Sequence, residues 1–231
     1  MVPTVHDLIQ TLTDHGAALV GFADVTALPS EARKSLPRGI SIAVALDRDI
    51  VAGIAAGPTL DYSAEYDRTN ALLDDLAIVA ADFLRQRGFE AVPLMATDHA
   101  AARSDMVTPI PHKTVATRAG LGWIGKCALV VTDEYGSAVR INSVFTDAPL
   151  AVGEPVEASR CGECAACVSV CPGHAPTGSA WHPGMAREDL FDASACRLTI
   201  VDHARRTPMP SPVCGMCIAA CPWTQRYLRG D

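Results

Sequence analysis

Eight of the nine cysteines fall between Cys161 and Cys221, and their spacing narrows what this chain can fold into. Cys161, Cys164, Cys167 and Cys171-Pro172 make C-x2-C-x2-C-x3-C-P, the run by which bacterial ferredoxins hold cubane iron–sulfur clusters. Three thiolates on one tight loop reach three irons of one cubane, and the fourth points away toward a second. Further on, Cys214, Cys217 and Cys221-Pro222 make C-x2-C-x3-C-P, which lacks the middle cysteine of the standard run. Cys196 is the remaining cysteine of this region and can take that place. The expected ligand sets are therefore Cys161, Cys164, Cys167 and, by exchange, Cys221 for one [4Fe-4S] cluster. The second takes Cys171, Cys196, Cys214 and Cys217.

Structural zinc is the rival reading, because paired C-x2-C is also a zinc knuckle. Zinc sites seldom use three cysteines at successive x2 spacing followed by Cys-Pro. Disulfides fit a reducing compartment poorly. The ninth cysteine, Cys127, reads as a small strand residue packed inside rather than a ninth ligand.

The Cys-, Gly- and Pro-rich segment from 161 has little room for an apolar core, so metal must help hold it together. The chain before it is different. Val5, Leu8, Ile9 and Leu12 have helical spacing, and a long helix is expected from about Ser63 to Arg87. Residues 18–23, 40–46 and 89–94 are short apolar runs that suit strands. A short helix is expected over Lys113–Arg118. Residues 127–132 and 138–146 flank a turn and read as a hairpin. The expected organisation is an α/β or α+β cofactor and substrate domain over 1–150. A ferredoxin-like domain with two [4Fe-4S] clusters follows over 151–231.

Composition supports a folded chain: 49% of the 231 residues are hydrophobic, 19% charged and 5% aromatic. The net charge of −7 argues against a protein that grips nucleic acid or anionic lipid through a basic surface. Residues 151–231 hold 7 Lys and Arg against 8 Asp and Glu, so the acidic excess lies in the first 150 residues. The start carries Asp and His where a signal peptide has a basic stretch and an apolar run, and no apolar stretch approaches membrane-span length. A cytoplasmic location is expected, with no membrane partner.

From Thr108 onward the sequence resembles a known family. Ala119-Gly-Leu-Gly-Trp-Ile-Gly-Lys126, the Thr146-Asp-Ala-Pro-Leu150 run and Cys221-Pro-Trp223, in this order around the cysteines, are similar to epoxyqueuosine reductase and its short relatives with a double [4Fe-4S] domain. That family is related to reductive dehalogenases, and its larger members bind cobalamin between an α/β domain and the ferredoxin-like domain. The resemblance covers about residues 108–223. It implies that electrons pass through both clusters to a corrinoid or a small substrate, with ferredoxin or flavodoxin as donor. It further implies that Gly120–Lys126 lies near the corrin, with Gly122 and Gly125 allowing close approach, Trp123 as a packing wall and Lys126 in contact with the cofactor. His112 and Lys113, at the start of a short helix, are candidate donors to the same ligand.

The sequence departs from the family pattern in three places. The acidic proton donor of the tRNA enzymes falls at Met106, with Asp105 beside it as the candidate replacement. A family Glu is His112 here. The chain stops at Asp231, without the helical-repeat extension of the tRNA enzymes. With the acidic balance, these departures argue against tRNA as partner. They leave two further readings beside the reductase: a non-catalytic electron carrier or reductive activator of a partner corrinoid protein, and epoxyqueuosine reduction in tRNA.

Overall fold

A computed structural model describes residues 5–97 and 108–230. Its chain forms two compact units, each assembled from separated stretches. Whereas the sequence reading drew one linear boundary after residue 150, contacts group residues 1–45, 69–121 and 140–156 into the first unit. Residues 46–68, 122–139 and 157–231 make up the second.

The first unit is a four-stranded sheet with helices on both faces. Helix α1 (Val5–Asp14) leads to β1 (Leu19–Asp24) and β2 (Arg38–Ala45), and β3 (Ala91–Pro93) and β6 (Val139–Thr146) complete the order β1-β2-β6-β3. The β1/β2 and β3/β6 pairs are both antiparallel, the α+β alternative of the expected fold.

Alternation along each strand explains the layering. Phe22, Ile40, Ile42 and Val44 face a core shared with Leu8 and Leu12 of α1 and with Leu73, Leu76, Ala80 and Leu84 of α3 (Leu60–Arg85). Ala23 and Phe145 face the other way, onto Leu36, Ile110 and Val115 of α4 (His112–Arg118).

The second unit has little regular structure. It contains α2 (Arg48–Ala52), the two-residue strands β4 (Trp123–Ile124) and β5 (Val130–Val131), and five helices. These are α5 (Ala166–Ser169), α6 (Arg187–Leu190), α7 (Ala193–Arg206), α8 (Met216–Ala219) and α9 (Pro222–Arg229). One apolar cluster is small: Ile124, Ala128 and Leu190, flanked by Trp181, Met185 and Phe191. Polar ties supplement it. The Tyr227 hydroxyl donates to the Leu46 carbonyl at 2.8 Å, and the Ser63 hydroxyl to the Ser211 carbonyl at 2.8 Å.

The expected hairpin over 127–146 does not form as a strand pair. Its turn is present, closed by the isolated bridge Thr132↔Gly136, but β5 pairs with β4 while β6 joins the four-stranded sheet. No described helix is long and apolar enough to cross a membrane.

Candidate metal centre

The β4–β5 hairpin pairs Trp123 with Val131 and Ile124 with Val130, leaving residues 125–129 as its loop. The loop closes on itself: the Gly125 N–H donates to the Leu129 carbonyl and the Ala128 N–H to the Gly125 carbonyl, both at 2.8 Å. Ala128 takes a left-handed conformation, φ 60°. A Cβ on Gly122 would collide with the Val131 carbonyl, so the hairpin itself requires glycine there. Cys127 sits in the loop and not on a strand, though it is buried as expected.

The two cysteine runs are built alike. In the first, the Cys164 N–H donates to the Cys161 carbonyl at 3.1 Å, and the one-turn helix α5 then carries Cys167. In the second, Gly215 is left-handed at φ 79°, and the one-turn helix α8 carries Cys217. The Ile218 N–H returns to the Gly215 carbonyl at 2.8 Å, and Pro222 opens α9 directly after Cys221. A Cβ on Gly215 would lie 2.6 Å from Ile54 Cδ1 and 2.7 Å from Tyr62 Cε1, so this turn is pressed against the turn after α2 and the start of α3.

These pieces converge. Cys161, Cys164, Cys167 and Cys221 line one cavity of about 90 Å³, together with Gly125, Lys126 and Cys127 of the hairpin loop and Trp223 of α9. Cys167, Cys221 and Lys126 are buried. Three thiols of the second expected set also lie in mutual range. Burial, and then Cys214 and Cys171, push the Cys196 thiol up to about 11, and burial and Cys171 raise Cys214. An N–H from Ala175 reaches Cys171 Sγ at 3.4 Å. Cys217 stands beside Cys127, which also touches Cys167. Contact with Cys167 pulls the Cys127 thiol down, but contact with Cys217 and complete burial outweigh it and push the thiol well up. All nine cysteines are free thiols. Among the described residues no three His, Cys, Asp or Glu side chains form a ready site for one ion.

Trp123 is fully buried and meets Trp223 edge-on, with ring centroids 4.9 Å apart and planes at 74°. The Arg160 guanidinium lies 5.2 Å from the Trp123 ring centre and that of Arg226 4.4 Å from the Trp223 ring centre. The indole Nε1 of Trp123 has no hydrogen-bond partner. A buried donor left unpaired costs about 1–3 kcal/mol, so this N–H wants an acceptor.

The other candidates belong to the first unit or lie outside the described residues. His112 and Lys113 open α4 in the first unit. A carbonyl only accepts, so His112 Nε2–H donates to the Met95 carbonyl at 3.0 Å, and Nδ1 accepts from the Ser143 hydroxyl at 3.1 Å. Both ring nitrogens are thereby engaged inside the first unit. Burial holds the His112 pKa below the ordinary value, and contact with the Met95 carbonyl opposes this only in part. Asp105 lies outside the described residues. What the sequence reading missed is Cys127 on the cavity wall. Its signal was the Gly125-Lys126-Cys127 order, which places a thiol at a hairpin tip once Gly122 is seen to fix the hairpin.

No protein-family model matches the chain. An epoxyqueuosine reductase of Synechococcus sp. (strain CC9605) is 32% identical over 131 residues, which is 52% of this chain and 38% of that relative. The chain therefore spans well under half the length of this relative. An epoxyqueuosine reductase structure holding an epoxyqueuosine-modified tRNA-Tyr stem loop superposes with a TM-score of 0.63 at 18% identity, covering 95% of this chain and 65% of that one. A reductive dehalogenase whose structure suggests a mechanism for B12-dependent dehalogenation gives 0.67 at 18% identity, covering 90% and 30%.

These findings do not support the expectation against tRNA. Net charge averages over the whole chain, whereas RNA contact needs only a local surface. In sequence the chain is a relative of the epoxyqueuosine reductases, and it has the mixed helix and sheet fold that they share with reductive dehalogenases.

Proposed function

We propose that this chain is an iron–sulfur oxidoreductase of the epoxyqueuosine reductase type, holding two [4Fe-4S] clusters and reducing epoxyqueuosine in tRNA. One observation carries the reading: Cys221 lines the same cavity as Cys161, Cys164 and Cys167, the exchange that the two-cluster spacing demands. Four thiols around one small cavity are the donor set a cubane takes. Cys171, Cys196 and Cys214, near one another, with Cys217 would make the second set. When bound, such clusters supply one-electron transfer. The chain's part is to bury them behind Trp223 and the hairpin loop, and to set their potentials through burial, Lys126 and nearby donors.

A corrinoid belongs to the same proposal. Its support is the fold shared with a B12-dependent dehalogenase. It would supply the two-electron step, while Trp123 positions it and Lys126 offers a cation. Electrons would come from a ferredoxin or flavodoxin. The relatives named for epoxyqueuosine, one of them holding the modified tRNA, make tRNA the favoured substrate.

The test is restoration of queuosine in the tRNA of a host lacking its own epoxyqueuosine reductase, read by nucleoside mass spectrometry. The expected result is recovery of queuosine, lost again in a Cys164→Ser variant. Persistent epoxyqueuosine, alongside reduction of a partner corrinoid protein by the reconstituted chain, would replace this reading with the electron-transfer one.

A further inference from the structure

Helix α7 has two unlike sides. At about 100° of turn per residue, Ser194, Arg197, Leu198, Val201 and Arg205 fall within roughly 100° of arc, and all five are exposed. Cys196, Thr199, Ile200 and His203 take the opposite side and are half-buried. That inner side rests on the first cysteine run. A Cβ on Gly173, two residues after Cys171, would collide with the Thr199 hydroxyl and lie 2.8 Å from the Ala195 carbonyl.

The outer side mixes apolar and cationic groups. Leu198, 70% exposed, is the most exposed large apolar side chain among the described residues, and Val201 stands one turn on. Arg197 and Arg205 flank them, and among the described residues neither makes an ion pair or a hydrogen bond. Arg206, by contrast, pairs with Asp202, and Asp192 is taken up as the helix cap. The helix dipole accounts for cations in the last turn, but not for Arg197 or for the apolar pair between the arginines. An apolar centre rimmed by arginine is the make-up of a protein interface. A phosphate backbone would use the arginines and gain nothing from Leu198 and Val201.

We propose that this outer side of α7 is the face on which a small acidic ferredoxin docks to pass its electron to the cluster of Cys171, Cys196, Cys214 and Cys217. This rests on the two-cluster reading above and not on the choice of substrate. Charge selects the place. On a chain of net charge −7 most of the surface repels an acidic partner, whereas from Arg197 to Arg206 three arginines stand against the one carboxylate of Asp202. Distance agrees. A helix is about 10–12 Å across with its side chains, so a partner on the outer side is one helix width from the Cys196 side. Ferredoxin suits the step because the electron must arrive at low potential, near about −400 mV for the plant type. One electron leaves the partner's reduced iron–sulfur centre and enters the cluster. No bond forms or breaks, and the oxidised partner departs.

The experiment mixes reduced acidic plant-type ferredoxin with anaerobically reconstituted protein in a stopped flow and follows ferredoxin oxidation over a range of salt. The wild-type second-order rate should fall steeply as salt is added, as steered association does. The double variant Arg197→Glu/Arg205→Glu should lower that rate by about ten- to a hundredfold at low salt and flatten its salt dependence. Leu198→Ser should slow transfer and keep the salt dependence. Each variant should hold about eight irons. Reduced methyl viologen, a small cation, should reduce each variant as fast as the wild type or faster.

Ferredoxin rates unchanged in the double variant would overturn the proposal, as would an equal fall with methyl viologen, which would place the damage in the cluster itself. A face that governs transfer from flavodoxin but not from ferredoxin would overturn the choice of partner. Weaker binding of a tRNA stem loop by the double variant, with ferredoxin transfer intact, would make the face an RNA surface instead. Wild-type protein that takes up no iron would remove the two-cluster reading, and this inference with it.

Discussion

The indole of Trp123 stands edge-on against that of Trp223, centroids 4.9 Å apart, and so ties the β4–β5 hairpin to the helix that follows Cys221. Trp123 is completely buried and is the bulkiest side chain so buried among the described residues, so its ring packing matters to the second unit. Trp123→Ala should cost about 3–5 kcal/mol of stability in the metal-free protein. Trp123→Phe should cost much less, because no hydrogen bond of the indole is lost. Urea unfolding of both variants checks this, and equal losses would show that ring packing is not what matters.

Gly122 faces the backbone of Val131 so closely that no side chain fits. Gly122→Ala should destabilise the second unit by about 1–3 kcal/mol through overpacking. Because the hairpin loop carries Lys126 and Cys127 to the cavity, it should also lower iron retention. Chelator challenge of the reconstituted variant, compared with wild type, measures it.

Helix α7 holds Cys196 and leaves none of its 14 residues fully buried, Cys196 itself being half-buried. Its Asp192 cap, which accepts from the Ala195 N–H at 2.9 Å, is too little to hold a helix of this length in water. Its order should therefore depend on the metal. Hydrogen exchange over residues 193–206 should be fast in metal-free protein and slow markedly on reconstitution, since metal binding and folding are linked. Equal exchange in both states would detach Cys196 from the second cluster.

His112 gives a pH dependence whose sign follows from its burial. Its folded pKa lies below the unfolded value near 6.5, so the unfolded state binds the extra proton first. The stability is whole above about pH 6.5 and falls as the pH drops toward the folded pKa. His112→Asn should flatten this loss below about pH 6.5, read from urea midpoints. A variant as acid-sensitive as wild type would place the proton uptake elsewhere.

The long helix was legible from its apolar stripe: expected over 63–87, it runs from Leu60 to Arg85. The two cysteine runs were legible as compact turns, and each leads into a one-turn helix that carries one cysteine. The hairpin was not. Residues 127–132 and 138–146 look like partners across a turn, but β5 finds its partner in Trp123-Ile124, whose flanking glycines read locally as loop. Pairing was decided by the Gly122–Val131 approach, a tertiary fact. The interleaving of the two units was hidden for the same reason. Residues 46–68 join the second unit through contacts such as Ser63 with Ser211, across a separation that no local pattern reports.

The central claim is that two cubanes occupy the cysteines with Cys221 exchanged into the first set. Iron and acid-labile sulfide, counted together in anaerobically reconstituted wild-type and Cys221→Ser protein, test it most directly. The account predicts about eight of each in the wild type and about four in the variant, the surviving cluster being that of Cys171, Cys196, Cys214 and Cys217. Two zinc ions in place of iron, or a Cys221→Ser protein that keeps all eight irons, would contradict it.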